Sequence, residues 1–188
     1  MKLHWLLLLV VYAQNFKYAV NKSVASILFQ KSLVIDRFMG KCPRHANLPM
    51  YLENIHLYPT NGTYNISAKI VVTRDLLSDL KLVLQLERCK AKEDLDSCEP
   101  YQNVSRNSLC ELAKAKKQTW TPYMTNMQPA ISCPPLKGTY YCSHTVFDAT
   151  PLMMLPISGW YWKVKSLIYE AKTNNPPVMC IYITGQFK

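Results

Sequence analysis

Apolar and polar residues alternate with a period of two along most of the chain, as in strands that bury one face. The positions that share an apolar face include Ile66 and Ile70 in YNISAKIVV, Leu82, Leu84 and Leu86 in LKLVLQLERC, and Trp160, Trp162 and Val164 in WYWKVKSLIYE. The stretches MYLENIHLYP and PVMCIYITGQF are further strand candidates, and turn signals such as YPTNGTY and CPPLKG separate the runs. This pattern predicts an all-β fold in which antiparallel sheets pack face to face as a sandwich.

The segment SLCELAKAKK departs from the alternation and has helical periodicity. It places Leu109, Leu112 and Ala113 toward the core and its lysines outward. We therefore expect one short helix beside the sheets.

The inward strand faces are rich in large apolar and aromatic residues. An ordinary sandwich fills its interior with such side chains, whereas a carrier leaves a cavity between the sheets. The period of two is the same in a filled sandwich and in a carrier. Each of these residues could therefore pack in an ordinary core instead of lining a cavity.

The beginning of the chain resembles a secretory signal peptide, with Lys2 before an apolar run from Leu3 to Val11 and a small residue at Ala13. This run is shorter than the roughly 20 residues that span a bilayer, which argues against a membrane anchor. We divide the chain into a signal peptide (1–13), an N-terminal segment (14–41) and a β-sandwich domain (42–188). The expected location is extracellular.

Four glycosylation sequons agree with export, at Asn21, Asn61, Asn65 and Asn103. The formal net charge is +10. Outside the cell this charge favours anionic lipid, acidic glycan or a cell surface as partner rather than nucleic acid. A solvated basic surface is the plainer explanation.

Seven cysteines in an oxidising compartment predict three disulfides and one cysteine left over. Cys89 and Cys98 bracket a polar stretch typical of a hairpin tip, and a bridge there needs only ordinary Cα separations. From spacing alone, Cys133 pairs with either Cys110 or Cys142. The histidines are scattered and no CxxC is present, so we expect no metal site and no cofactor.

The last third of the chain resembles a family of small secreted insect proteins. The pattern consists of Cys133-Pro134, Gly138, Tyr140-Tyr141, Phe147 and Pro151, followed by Pro156, Gly159 and Tyr161. Upstream, Asn107-Ser108-Leu109-Cys110 is similar to the helix signature of the family, and Leu57-Tyr58-Pro59 with Gly62-Thr63-Tyr64-Asn65 is similar to its early strands. These are the CheA/CheB chemosensory proteins, which are similar to the ML lipid-recognition superfamily that includes the ganglioside activator.

The resemblance implies an immunoglobulin-like sandwich around a hydrophobic cavity, and the disulfides Cys42–Cys180, Cys89–Cys98 and Cys110–Cys133. It leaves Cys142 free or available for an intermolecular bridge. It also implies a carrier of a lipid or hydrocarbon-like ligand, acting in pheromone perception. The expected lining is the apolar strand faces (Ile66, Ile70, Leu82, Leu84, Leu86, Trp160, Trp162 and Val164), with Met153 and Met154 at the mouth.

Two other functions compete with the carrier. One is a secreted adaptor that binds a membrane receptor or cell surface without cargo. The other is a hydrolase, for which the chain offers only Cys142 and His144, two positions that alternation places on one strand face. No GxSxG motif is present, and we expect no enzymatic activity.

Overall fold

The alternating segments form strands, and the sandwich prediction is confirmed. A computed structural model of the protein describes residues 32–45, 47–60, 63–148, 157–171 and 176–188. In these ranges the strands are β1 (Leu33–Met39), β2 (Met50–Thr60), β3 (Thr63–Val72), β4 (Leu80–Cys89), β5 (Glu99–Arg106), β6 (Met127–Gln128), β7 (Gly138–Asp148), β8 (Tyr161–Glu170) and β9 (Met179–Phe187). The helices are α1 (Leu109–Lys114) and α2 (Thr121–Thr125), and a 3₁₀ turn covers Leu95–Ser97.

Two antiparallel sheets form the sandwich. The five-stranded sheet has the order β1-β9-β8-β4-β5, and the four-stranded sheet has the order β2-β3-β7-β6. The segment with α1 and α2 leaves β5 in the first sheet and enters β6 in the second. It therefore closes one side of the sandwich, while β1 and β2 meet on the other side.

Gly40 and Gly185 allow neighbouring backbone segments to approach each other closely beside β1. The Leu52 amide donates to the Gly40 carbonyl at 3.1 Å, and a Cβ at Gly40 would collide with the Leu52 carbonyl. A Cβ at Gly185, in β9, would collide with the Val34 carbonyl of β1. Only glycine fits such close approaches without a backbone shift.

Tyr64 ties the two sheets together. Its buried hydroxyl accepts from the Ile35 amide at 3.1 Å and donates to the Leu33 carbonyl at 3.0 Å. Tyr64 belongs to β3 and the two backbone groups belong to β1. A side chain of the four-stranded sheet therefore forms hydrogen bonds with backbone groups on the edge strand of the five-stranded sheet.

We call one end of the sandwich the packed end: it is where β3 ends, β4 begins and β9 begins. Its buried core consists of Met50, Val72, Leu76, Leu80, Cys110, Met127, Tyr140, Cys142, Val178 and Met179. These residues come from both sheets and from α1, so their close packing fixes the sheets against each other at this end.

Two acids, the half-buried Asp79 and the buried Glu170, support the packed end. The Asp79 carboxylate accepts from the amides of Leu80 at 2.7 Å and Cys110 at 3.0 Å, so it caps the first turn of α1. The hydrogen bond from Cys110 is the main cause of the lowered pKa of Asp79. Glu170 binds the Arg74 guanidinium at 2.7 Å, and this hydrogen bond lowers the pKa of Glu170.

The three disulfides are Cys42–Cys180, Cys89–Cys98 and Cys110–Cys133, the pairs that the resemblance implies. Cys142 is free and buried. The alternative pairing of Cys133 with Cys142 is therefore wrong.

Two further details differ from the predictions. The expectation of one short helix is wrong, because α2 follows α1 and begins beside a proline at its first turn. The segment 14–41 was expected to precede the sandwich domain, yet β1 lies within it and pairs with β9. The sandwich therefore extends to Leu33 at least.

Candidate ligand-binding surface between the sheets

Three neighbouring strands of the five-stranded sheet present apolar side chains toward the other sheet. In the register of β4 with β8, Leu82 faces Ile168, Leu84 faces Ser166 and Leu86 faces Val164. In the register of β8 with β9, Ile181 and Ile183 continue the same rows. This is the inner face, because Leu80, Ile168 and Met179 on it join the buried core with residues of the second sheet.

The second sheet adds Ile66 and Ile70 from β3. Ile70 pairs with Leu52 and Tyr140, which belong to the packed end, and Ile66 lies on the same strand face four residues earlier. The structure thus brings apolar side chains from both sheets to the interior. We call the set Ile66, Ile70, Leu82, Leu84, Leu86, Val164, Ile181 and Ile183 the inter-sheet surface.

Every residue of the inter-sheet surface is only half-buried. Val164 lies on the central strand of its sheet, and Ile66 has a strand on each side, so neighbouring strands already cover their flanks. Their remaining exposure must come from the inner face itself. In a filled sandwich such positions are fully covered by the opposite sheet.

The packed end shows what full coverage looks like in this molecule. Val72 is 2% exposed, Leu80 is 3% exposed and Val178 is 1% exposed. Leu80 and Leu82 differ by one step along the same face of β4, yet the first is buried and the second is half-buried. Burial of the inner face of β4 therefore decreases from the packed end toward the middle of the strand.

The residues predicted to line a cavity belong to strands of both sheets or directly precede one, apart from two methionines. Ile66, Ile70, Leu82, Leu84, Leu86 and Val164 are on the inter-sheet surface, Trp162 is on the same inner face but buried, and Trp160 directly precedes β8. Met153 and Met154 lie outside the described residues.

An aromatic cluster surrounds a cation where β4 ends and β8 begins. The Arg88 guanidinium lies 4.4 Å from the centre of the Trp160 ring and 5.2 Å from that of Tyr101. Tyr101 meets Trp162 edge to face at 5.1 Å. The Glu99 carboxylate binds Arg88 at 2.6 Å, so the cluster combines aromatic surface with a neutralised ion pair.

The Trp162 indole is held by its own hydrogen bond. Its Nε1 donates to the Ile157 carbonyl at 2.7 Å. Because the ring is also buried against Tyr101, it forms a fixed wall at this end of the inter-sheet surface. An apolar chain lying along Leu82, Leu84 and Leu86 would reach this wall.

Sequence reasoning missed Arg88, Tyr101, Ile181 and Ile183 at this site. Alternation along LKLVLQLERC does place Arg88 on the leucine face, and alternation along PVMCIYITGQF places Ile181 with Ile183. Tyr101 lies next to a register shift between β4 and β5, so spacing alone gives no clue to its partners.

Cys142 and His144 do not share a strand face, so that prediction is wrong. The pairing of β3 with β7 shifts between Ile66 and Ala68, and His144 has a φ of 48°. His144 is exposed and stacks on Tyr58, with 6.4 Å between ring centres. The buried Cys142 sulfur instead lies 2.9 Å from the Thr145 hydroxyl.

Tyr123 of α2 packs against the buried core. Its hydroxyl is buried and has no hydrogen-bond partner among the described residues. Burial is the main cause of the raised pKa of Tyr123, with a smaller contribution from Cys142. This hydroxyl is therefore enclosed by protein.

The predicted glycosylation sites that the structure describes are on the outside of the sandwich. Asn103 is exposed on β5, and Asn65 is half-buried on β3, while Asn21 and Asn61 lie outside the described residues. The described part of the chain contains no group of three His, Cys, Asp or Glu side chains that could hold a metal ion. Its helices are all too short to cross a membrane.

Comparison of the sequence with protein-family models and with curated proteins gives no match.

Proposed function

We propose that this protein is a secreted, non-enzymatic carrier that holds a lipid or hydrocarbon-like ligand between its two sheets. The observation that carries the proposal is the half-buried state of Val164 and Ile66 on inner strands. Apolar side chains at such positions are normally covered, and an apolar ligand is the simplest partner that would cover them.

Transfer of the ligand from water supplies the binding free energy. Burial yields roughly 25 cal/mol per Å² of apolar surface, or about 0.8 kcal/mol per methylene group. A chain of about twelve carbons would therefore gain several kcal/mol after the cost of immobilising it. Ser166 is a polar residue on the inner face of β8, opposite Leu84. Its hydroxyl could form a hydrogen bond with an oxygen atom of the ligand.

Two sequence features support secretion and the biological setting. The signal-like start of the chain and the three disulfides suit an oxidising extracellular environment. The likeness of the region from Cys133 to Tyr161 to the insect CheA/CheB proteins supports a role in chemosensation, with a pheromone as ligand.

A matched pair of tryptophan variants tests the carrier function. Leu84→Trp adds volume on the inter-sheet surface, whereas Gln85→Trp adds it to the neighbouring residue on the opposite face of β4. Binding of a fluorescent fatty-acid probe should weaken at least tenfold in Leu84→Trp and stay unchanged in Gln85→Trp.

The same two variants also show whether there is unfilled space beside Leu84 between the sheets. In a filled interior, an added indole would destabilise the fold by about 1–3 kcal/mol or more through overpacking. The carrier function requires that Leu84→Trp keep most of the wild-type stability in urea. Absence of probe binding by the wild type, together with a strongly destabilised Leu84→Trp, would contradict it.

The adaptor remains the second candidate because of one observation on the outer face of the four-stranded sheet. Tyr58, Tyr141 and Val146 are each about half exposed there, at 50%, 53% and 48%. Exposed apolar side chains in a group are typical of interaction surfaces. Retention of the protein on receptor-bearing cells that is lost in Tyr141→Ser, with no extractable ligand, would favour the adaptor over the carrier.

A further inference from the structure

A concave pocket lies on the outer face of the five-stranded sheet, opposite the inter-sheet surface. Its volume is about 260 Å³, and its lining includes Arg37, Lys92, Lys163, Tyr182 and Thr184. Three adjacent strands form its floor, because Lys163 of β8 pairs with Thr184 of β9, which pairs with Arg37 of β1.

The position of Arg37 depends on local backbone structure. The pairing of β1 with β9 shifts between Ile35 and Arg37, so Asp36 is an extra residue in β1. The shift lies beside Gly185, where the missing Cβ admits the β1 backbone. Arg37 consequently lies opposite Thr184 on the pocket side of the sheet.

The hairpin tip between β4 and β5 forms one wall of this pocket. Lys92 donates to the Asp36 carboxylate at 2.6 Å, and the Cys89–Cys98 disulfide closes the base of the tip. Lys92 and Asp36 neutralise each other, so the net positive charge of the pocket comes from Arg37 and Lys163.

Neither of these two cations forms an ion pair within the part of the chain that the structure describes. They stand two strands apart, a separation of about 10 Å between backbones, with Thr184 between them. Long side chains from both sides can therefore converge on a group above Thr184.

Glu87 is an acid on the strand next to Lys163. It pairs with Lys163 across β4 and β8, yet the two side chains make no ion pair. Glu87 is exposed, so its charge is screened by water more than that of a buried group. It would compete with an anion for Lys163 without blocking the pocket.

Two hydroxyl groups in the pocket are available as donors. Tyr161 donates to the Thr184 hydroxyl at 2.8 Å in a buried contact, which orients Thr184 and leaves the Thr184 proton without an acceptor in the described chain. Thr184 is 6% exposed. The Tyr182 hydroxyl likewise has no hydrogen-bond partner among described residues.

We propose that this pocket binds a tetrahedral oxyanion, a phosphate or sulfate group, through Arg37, Lys163, Thr184 and Tyr182. A tetrahedral oxyanion presents several acceptor oxygens in different directions, and the pocket offers two cations and two hydroxyl donors around one space. Charge-assisted hydrogen bonds of this kind are the strong ones in proteins. The site is separate from the inter-sheet surface and does not depend on the carrier function.

Calorimetric titration with sodium phosphate and with sodium sulfate, at constant ionic strength set with sodium chloride, tests the pocket. We expect saturable binding that weakens at least tenfold in Arg37→Gln and in Lys163→Gln. Lys81→Gln is the matched control, because Lys81 lies on the outer face of the same sheet at its other end, opposite Tyr169. Its affinity should equal that of the wild type.

Glu87→Gln provides a test in the opposite direction. Removal of the competing carboxylate should tighten anion binding, a gain that mere structural damage would not produce. Absence of saturable binding, an equal loss in Lys81→Gln, or an affinity in Glu87→Gln that does not rise would each overturn the proposal.

Vesicles distinguish the two sources of the oxyanion. Retention on phosphatidylcholine vesicles containing phosphatidic acid, competed by free phosphate and lost in Arg37→Gln, would support the pocket and identify a lipid headgroup. Binding of the free ions without retention on vesicles would support the pocket and identify a soluble ion or ester. Retention that is unchanged in Arg37→Gln would overturn the proposal.

Discussion

The packed end and the inter-sheet surface use the same kind of apolar strand residue with different results. At the packed end, Leu80 meets residues of the second sheet and of α1, and it is 3% exposed. In the middle of the sandwich, Leu84 of the same strand face is half-buried. The difference shows that the interior is fully covered at the packed end and only partly covered in the middle of β4, which is where the proposed ligand would bind.

Truncation of one leucine in each region is the strongest test of this difference. Leu80→Ala removes packed side-chain volume and should cost about 3 kcal/mol of unfolding free energy. Leu84→Ala loses only a partly covered side chain and should cost about 1 kcal/mol. Urea denaturation of both variants measures the two costs, and equal losses would show that the middle is packed as tightly as the end.

Glu170→Gln tests the ionic support of the packed end. The carboxylate binds Arg74 at 2.7 Å and accepts from the Leu77 amide at 2.8 Å, so the variant should lose about 2 kcal/mol at neutral pH. Because folding lowers the pKa of Glu170, its contribution is present above the unfolded pKa of about 4.3 and is lost as the pH falls through the lower folded value.

The stability difference between wild type and Glu170→Gln should therefore shrink as the pH falls below about 4. Denaturant titrations at neutral pH and across this acidic range provide the measurement. A difference that stays constant with pH would mean that Glu170 acts through packing rather than through its charge. Glu53→Gln is a suitable control, because that carboxylate pairs with Lys69 on the more exposed outer surface.

Tyr64→Phe tests the hydrogen bonds that tie β1 to β3 of the second sheet. Loss of its hydroxyl leaves the Ile35 amide and the Leu33 carbonyl without this partner, at a cost of about 1–2 kcal/mol. Hydrogen exchange of the Ile35 amide should accelerate, while that of Met50 at the packed end should change much less. Uniform acceleration at both sites would mean that the two regions unfold together.

Trp160→Ala should have the smallest effect on stability, under about 1 kcal/mol, because the Arg88–Trp160 contact is half-buried. Its effect on binding of the fatty-acid probe should be larger than its effect on unfolding, since the ring lies beside the inter-sheet surface. Tyr58→Ala, an exposed ring on the outer face of the other sheet, should alter neither quantity.

Alternation predicted the strands and most of the inner face, because a period of two directly reports which side chains share a face. It could not predict the distance between the sheets, since filled and separated sandwiches have the same period. It also failed at His144, where one extra residue in β7 reverses the expected face. The contact between Tyr64 and β1 joins residues about 30 positions apart and leaves no local pattern in the sequence.

The proposed anion pocket likewise could not be predicted from alternation along single strands. Alternation along WYWKVKSLIYE places Lys163 on the face opposite Trp162 and Val164, but its neighbours Thr184 and Arg37 come from β9 and β1, which only the sheet order brings together. Sequence patterns identify the face of a strand, whereas sites arise from the register between strands.

The mass of the secreted protein, recorded under native, non-reducing conditions before and after extraction with organic solvent, tests the carrier function most directly. We predict a stoichiometric apolar adduct that disappears on extraction and is reduced or absent in Leu84→Trp but present in Gln85→Trp. A protein that carries no adduct and takes up no fatty-acid probe after extraction would contradict the carrier function.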